Sequence, residues 1–245
     1  MISGKGGTGK TTMAALIIGI LAQRKSGTVL AVDADPNSNL AEALGVAKVG
    51  TIADIIDQVG SKPDVVPVGM GKDSFIEYQI HKEISENEGF DLLVMGRPEG
   101  PGCYCYINNV LRNCIAKLVK SYDFIVIDNE AGMEHFSRKT TRACSELFVI
   151  SDETAVGLKS AKRILDLTEE LGIIAKRRFL IVNKTKSLNT LKLKKDFSID
   201  KAFSIPLDKK ISLLNTKGRS LVGLNKSSKA WTALKQLGDE IWPMN

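Results

Sequence analysis

Residues 4–11 of this 245-residue chain read GKGGTGKT, a spacing of glycines, lysines and threonine suited to holding phosphate. The pattern Gly-x-x-x-x-Gly-Lys-Thr is met at every fixed position, and an apolar helical pattern over 10–24 follows at once. Glycines let backbone amides converge on phosphate oxygens, and a helix amino terminus adds partial positive charge. Lys10 is therefore predicted to contact β and γ phosphates, and Thr11 to bind Mg²⁺ through its hydroxyl. The predicted nucleotide-binding loop comprises Gly4, Lys5, Gly6, Gly7, Thr8, Gly9, Lys10, Thr11 and Thr12.

Acidic residues follow two apolar segments that are predicted to be strands. Asp33 and Asp35 come after residues 28–32, and Asp128 comes after residues 124–127. Because ligands bind at the carboxyl ends of strands in open parallel sheets, all three carboxylates are expected beside the phosphate loop. In this arrangement Asp128 would hold Mg²⁺ through its water shell. The Asp-x-Asp pair alone also fits a helix cap or an Asx turn.

An asparagine after a later apolar segment is a candidate for recognising the base. Asn183 follows residues 179–182, and an asparagine amide at a strand end can pair with the N6 and N7 edge of adenine. Adenine is favoured over guanine because Lys186 stands where a guanine-reading Asn-Lys-x-Asp has its aspartate. A routine strand terminus is the alternative interpretation of Asn183.

Two cysteines lie one residue apart, at Cys103 and Cys105. In an extended segment residues i and i+2 point the same way, so both thiolates can face one ion. A tetrahedral site needs four ligands, and a two-fold dimer would supply the other pair from its partner. The pair is therefore a candidate half of a metal site, with unliganded structural cysteines as the alternative. Cys114 and Cys144 are expected to be buried and inert.

The lysine at the second position of the loop makes the motif more specific. SGKGGTGKTT, with Lys5 directly after Gly4, resembles the deviant Walker motif of the family that includes MinD and ParA ATPases, nitrogenase iron protein and metal-centre assembly ATPases. The resemblance implies an ATP-dependent homodimer in which Lys5 reaches the partner's nucleotide, as an arginine finger does elsewhere. It also implies that Asp35 positions the attacking water and that Asp33 lies near Mg²⁺.

The same resemblance implies roles for three further segments. Asn183 becomes the base reader, and Pro206, Leu207 and Asp208 close the purine site. Residues 129–132 become switch II, which reports the γ phosphate to the rest of the molecule.

Four stretches together narrow the resemblance: SGKGGTGKTT, VDADPNSNL, GRPEGPGCYCYINN and IDNEAGMEH. They are similar to the CooC-type accessory ATPases that help load nickel into carbon monoxide dehydrogenase, and the specific motifs cover about the first 155 residues. The resemblance implies that ATP promotes dimerisation, that the dimer assembles a four-cysteine site for Ni²⁺ or Zn²⁺, and that hydrolysis alters this interface. Thiolates alone do not decide between the two metals. An accessory ATPase serving acetyl-CoA synthase is the alternative, since that subfamily looks similar.

The elements that must position these residues alternate along the chain. Strands are predicted over 28–32, 91–95, 124–127, 146–150, 179–182 and 202–205, and helices over 10–24, 107–119, 156–171 and 227–241, with a further helical patch over 75–84. Nearly continuous apolar strands alternating with helices predict an α/β fold with a doubly wound, mostly parallel sheet. Residues 1–245 are expected to form a single domain. Only residues 1–3 precede the loop, so either the first strand is unusually short or the natural start lies upstream.

Composition and charge exclude several classes of protein. Apolar residues make up 43% and charged residues 25%, which excludes a disordered tail or a fibre. The longest apolar run, over 13–22, is about half of the ~20 residues that a membrane span requires. The sequence therefore predicts a cytoplasmic protein without a membrane anchor.

A basic segment near the C-terminal end of the chain allows functions other than metal delivery. Residues 176–229 contain fifteen lysines and arginines against three acids, a net charge of 15 minus 3, or +12. This segment would suit a ParA-type ATPase that binds DNA, although DNA binding has no use for paired thiolates and a nucleic-acid partner is therefore disfavoured. A MinD-type ATPase could instead use the apolar C-terminal face at a membrane, although packing against the sheet is the preferred interpretation. An iron-sulfur electron carrier is a third alternative, but its cysteines are widely spaced rather than Cys-x-Cys.

Overall fold

A computed structural model describes residues 1–25, 27–47, 49–97, 104–129, 143–185, 193 and 196–243. Within these ranges the strands are β1 (Ile2–Gly4), β2 (Val29–Ala34), β3 (Ser85–Asn87), β4 (Phe90–Val94), β5 (Phe124–Asn129), β6 (Ala143–Ser151), β7 (Ile174–Thr185) and β8 (Lys201–Pro206). The helices are α1 (Lys10–Arg24), α2 (Asn39–Leu44), α3 (Ile52–Ser61), α4 (Lys72–Glu83), α5 (Tyr104–Leu118), α6 (Ala155–Glu170), α7 (Lys209–Thr216) and α8 (Lys229–Ile241).

The strands form one sheet in the order β3-β4-β2-β5-β1-β6-β7-β8. Every neighbouring pair is parallel except β3 and β4, which are antiparallel. The chain leaves β1 toward β2 on one side and later adds β6, β7 and β8 on the other. The order in which the chain adds strands therefore reverses at β1. Open parallel sheets bind ligands at such a reversal. The predicted doubly wound, mostly parallel sheet is confirmed.

Alternate residues of each strand face two separate cores. In β2, Leu30 and Val32 belong to one core with residues of α3, α4, α5 and α6, whereas Val29 and Ala31 belong to the other core with residues of α1, α2 and α8. The central strands are apolar on both faces because both faces are covered. Helices therefore hold the sheet from two sides and leave its carboxyl edge to the loops.

The sequence located the main elements and missed the short ones. Each predicted strand and helix is present within a few residues of its predicted bounds. The missed elements are β3, α2, α3 and α7. A local signal marks α3, because Thr51 Oγ1 accepts from Asp54 N at 3.1 Å and Asp54 Oδ2 accepts from Thr51 N at 3.1 Å.

Helix α8 packs its apolar face inside the protein. Leu234, Leu237 and Ile241 are buried in the same core as α1. Arg24, the last residue of α1, donates through Nη1 to the carbonyls of Gly238 at 3.0 Å and Trp242 at 2.9 Å. The expected packing of the C-terminal helix on the sheet is therefore observed, and this apolar face is used internally. No described helix is long and apolar enough to cross a bilayer.

Leu180→Ala in the middle of β7 tests the core assignment. Leu180 has 0% exposure, and removing such a side chain leaves a cavity that costs about 2–5 kcal/mol. We expect that loss in the free energy of unfolding from urea denaturation. Leu213→Ala on α7, where the side chain is 54% exposed, should change it by less than about 0.5 kcal/mol. Equal effects of the two substitutions would contradict the core assignment.

Candidate functional site

The loop between β1 and α1 wraps around the start of α1. Thr8 is buried, and its hydroxyl donates to the Lys5 carbonyl at 2.8 Å, which closes the turn. Gly9 has a left-handed backbone with φ of 95°, and a Cβ there would lie 2.5 Å from Asn183 Nδ2. Only glycine meets both conditions. Lys10 opens α1 and is buried, whereas Lys5 is exposed on the outer side of the loop.

The loop forms one wall of an open cleft of about 430 Å³. The sequence-predicted residues Lys10, Thr11 and Asp35 meet there. The lining residues are Gly6, Gly7, Gly9, Lys10, Thr11, Thr12, Asp35, Asn37, Asn39 and Lys184. Asn37, Asn39 and Lys184 were not predicted as site residues, although Asn37 and Asn39 belong to the same loop as Asp35. The sequence signal that could have identified Lys184 as a site residue is its position directly after Asn183.

Two carboxylates lie side by side beneath this cleft. Asp33 of β2 and Asp128 of β5 are direct neighbours in the parallel register, and both are buried. Asp33 is fully engaged, because Oδ1 accepts from Asp35 N at 3.1 Å and Oδ2 accepts from Leu40 N at 2.8 Å. It therefore fixes the loop that carries Asp35, whose own Oδ1 accepts from Asn37 N at 2.9 Å.

Asp128 is the unusual member of the pair. Among the described residues, neither of its buried carboxylate oxygens has a hydrogen-bond partner. A buried charged group without a partner is costly, and a hydrated cation would satisfy both oxygens. The donor set of Asp128 with the Thr11 hydroxyl is all oxygen, which fits Mg²⁺.

Burial shifts the pKa of both carboxyls upward. Desolvation raises the pKa of Asp33 to about 7, with the Leu40 amide opposing it and the Asp128 charge adding to it. Desolvation raises the pKa of Asp128 to about 6, while the neighbouring Thr11 hydroxyl and Lys10 ammonium oppose the shift. Without a cation, the folded protein therefore binds protons here that the unfolded chain has released near neutral pH.

Asn183 lies at the carboxyl end of β7 with its amide against the phosphate loop. Its Nδ2 donates to the Thr8 carbonyl at 2.9 Å, and its Oδ1 accepts from Lys184 N at 2.9 Å. The side chain is buried. Base recognition by Asn183 stays a prediction, and the contact made in this structure is with the loop.

Pro206, Leu207 and Asp208 follow the neighbouring strand β8. Asp208 Oδ1 accepts from Lys210 N at 2.8 Å, and its Oδ2 accepts from Ser228 Oγ at 2.7 Å and Ala230 N at 3.2 Å. This carboxylate joins the amino ends of α7 and α8. The purine role of these three residues stays a prediction.

Several predicted residues lie wholly or partly outside the described part of the chain. Cys103 is among them, and Cys105 is described only as a backbone position in α5. The extended backbone expected for the Cys-x-Cys segment is therefore wrong at Cys105, because helix α5 already begins at Tyr104. Of the predicted switch II only Asn129 is described, and its Nδ2 donates to the Ile2 carbonyl at 2.6 Å. The described residues contain no group of three or more metal-ligating side chains. The predicted thiolate site therefore stays a prediction. Of the other two cysteines, Cys114 is buried and Cys144 is half-buried.

Asp128→Asn tests the carboxylate pair in the protein without nucleotide or Mg²⁺. The folded-state pKa of about 6 lies above the ordinary value of 3.8, so this group lowers the free energy of unfolding as pH rises from about 4 to 6. The amide should raise the free energy of unfolding near pH 7.5 by about 2–3 kcal/mol, and the gain should vanish near pH 4. Urea denaturation at both pH values measures it, with the exposed Asp64→Asn as control. A gain that does not depend on pH would contradict the assignment.

Comparison with known proteins gives this cleft its context. The family model described as the CobQ/CobB/MinD/ParA nucleotide binding domain matches residues 1–221. An uncharacterized ATP-binding protein of Methanocaldococcus jannaschii is 39% identical over 98% of this chain and 96% of its own length. The carbon monoxide dehydrogenase accessory protein CooC of Rhodospirillum rubrum is 29% identical over 99% of this chain and 97% of its own.

Solved structures share the fold. The cell division ATPase MinD of Pyrococcus furiosus superimposes with a TM-score of 0.74 at 22% sequence identity, covering 98% of this chain and 95% of that one. MinD of Pyrococcus horikoshii, solved as a complex with Mg-ADP, gives a TM-score of 0.72 at 21% identity, covering 99% and 94%. With the phosphate loop, the buried carboxylates and the family match over 221 residues, the chain belongs to the CobQ/CobB/MinD/ParA family of nucleotide-binding ATPases.

Proposed function

We propose that this ATPase is a cytoplasmic metallochaperone of the CooC type. In this proposal ATP promotes a homodimer, Cys103 and Cys105 of each subunit bind one Ni²⁺ or Zn²⁺ between them, and the client is carbon monoxide dehydrogenase. The observation that carries the proposal is the Cys-x-Cys pair in a chain that is similar to CooC along 99% of its length. An acetyl-CoA synthase accessory ATPase would share the same chemistry with another client.

The nucleotide chemistry of the proposal rests on the described cleft. Lys10 neutralises charge on the β and γ phosphates, and Thr11 supplies a hydroxyl ligand to Mg²⁺. Asp128 holds the water shell of that ion, which gives its unpartnered oxygens a partner. In this proposal Asp35 orients the attacking water. It lines the cleft, and its amide donates to Asp33 Oδ1 at 3.1 Å.

The path of the chain supports a link between this cleft and the cysteine segment. Strand β4 pairs with β2 so that Val94 is opposite Asp33, and Met95 N donates to the Asp33 carbonyl at 2.8 Å. Strand β4 therefore ends at the edge of the sheet that carries the nucleotide carboxylates, and the cysteine segment follows it in the sequence. Helix α5 begins at Tyr104, between the two cysteines. A helix amino terminus favours the thiolate form that binds metal.

A DNA-binding ATPase of the ParA kind is the second candidate. The observation in its favour is the net charge of +12 over residues 176–229, which includes the exposed lysines 209, 210, 217 and 226. Retention on DNA that falls steeply as salt rises would favour this candidate over the metallochaperone. A metal-loaded dimer that passes through a DNA column at physiological salt would exclude it.

Cys103→Ser and Cys105→Ser test the metal site. Each change removes one thiolate per subunit, so the shared ion loses two of its four ligands. Metal analysis of protein purified with ADP or ATP should give about one divalent ion per two subunits, falling to near zero in both variants. Cys144→Ser changes a half-buried cysteine in β6 and is the matched control. Unchanged metal content in the first two variants would remove the proposed site.

Lys5→Ala tests the nucleotide-dependent dimer. Lys5 is exposed on the loop, and in this proposal its charge reaches the partner's phosphate. Light scattering with ATP and Mg²⁺ should show a dimer for the unmodified chain and a monomer for the variant, and both should be monomeric without nucleotide. Lys159→Ala, an exposed lysine on α6, should behave like the unmodified chain. A mass that does not respond to nucleotide, with or without bound metal, would contradict the proposal.

A further inference from the structure

The carboxyl end of β7 touches the phosphate loop at successive residues. Asn183 Nδ2 donates to the Thr8 carbonyl at 2.9 Å, and Lys184 Nζ donates to the Gly7 carbonyl at 3.4 Å. Gly9 completes the contact, because it packs so closely on Asn183 that a Cβ there would overlap the amide. Three consecutive loop residues therefore rest on two consecutive residues of β7.

The backbone of Lys184 is held in an uncommon conformation. Its φ is 58°, in the left-handed region that residues with a Cβ rarely adopt. The amide is fixed there by Asn183 Oδ1, and the pairing of β7 with β8 shifts register between Asn183 and Thr185. The conformation turns the chain at the strand end so that consecutive side chains both face the loop.

The two carbonyl contacts determine where the loop amides point. In a trans peptide the C=O and the following N–H point in opposite directions. A Thr8 carbonyl held on Asn183 therefore directs the Gly9 N–H away from β7, and Gly9 lines the cleft. The Gly7 carbonyl is held on Lys184, and the Thr8 amide on the other end of that peptide donates to the Lys5 carbonyl at 3.4 Å.

We infer that Lys184 is a positioning residue of the nucleotide site. With Asn183 it forms a brace on the loop. Lys184 holds the Gly7 carbonyl and so keeps the turn closed, with the Thr8 amide on the Lys5 carbonyl, while Asn183 holds the Thr8 carbonyl and so directs the Gly9 amide away from β7. It acts on the α and β phosphates through the loop, without contacting the γ phosphate. This role needs only nucleotide binding, and it is tested without Ni²⁺ or Zn²⁺, so its failure would leave the metallochaperone proposal unaffected.

Lys184→Asn and Lys184→Gly separate the ammonium from the backbone. Both replacements accept a left-handed φ, so the thermal midpoint of the protein without nucleotide should not fall. Both lack the ammonium, and we expect the Kd for Mg-ADP and for a non-hydrolysable ATP analogue to rise by the same factor, about tenfold. In turnover assays KM for ATP should rise while kcat changes by less than about twofold. Lys184→Arg should restore most of the affinity.

The matched control is Lys209→Asn, which removes an exposed lysine at the start of α7 and should leave both affinities unchanged. Unchanged Mg-ADP affinity in both Lys184 variants would overturn the brace. A loss much larger for the ATP analogue than for ADP would also overturn it, because it would show a direct contact with the γ phosphate. A lower thermal midpoint without nucleotide, matching the loss of affinity, would assign Lys184 a role in folding alone.

Discussion

The central constraint in this molecule is the burial of two neighbouring carboxylates at the middle of a parallel sheet. Asp33 and Asp128 are adjacent across β2 and β5, and both are removed from water. Backbone amides satisfy Asp33, whereas the oxygens of Asp128 have no hydrogen-bond partner among the described residues, although the Lys10 ammonium is near. Burying such a group is unfavourable unless a cation joins it. A hydrated cation beside Thr11 would satisfy the two oxygens that the described residues leave unpaired.

The phosphate loop is held by contacts between its own residues and by contacts from strand β7. Thr8 closes the turn on Lys5, and Asn183 and Lys184 hold the loop from β7, the strand next but one to β1. A loop rich in glycine would otherwise sample many conformations, and ordering it would weaken nucleotide binding. These contacts restrict the conformations open to the loop and so lower the cost of ordering it around phosphate.

Much of the fold follows from the sequence because it depends on local patterns. Continuous apolar strands, helical periodicity and the glycine-rich loop identified the parallel sheet, its main helices and the residues Lys10, Thr11, Asp35 and Asp128. These signals predict site residues because local sequence alone places a residue at the end of a strand or at the start of a helix, whatever the element packs against. The elements missed were short, such as α2 and β3, where a few residues give too little periodicity to detect.

What the sequence alone determined is the class of chemistry, which is nucleotide binding: a phosphate loop and an acidic strand end can each be recognised from their own neighbours in the chain. What the tertiary structure decided is which distant residues touch. Its position at a strand end predicts that Asn183 recognises the base. The contact that the tertiary structure adds is a hydrogen bond from its amide to the Thr8 carbonyl, 175 residues away in sequence. The residues around Asn183 in the sequence do not specify that contact. The contact arises because β1, β6 and β7 lie side by side in the sheet. The same packing brings Lys184 to the cleft, for the physical reason that parallel strands deliver their carboxyl ends to one edge of the sheet.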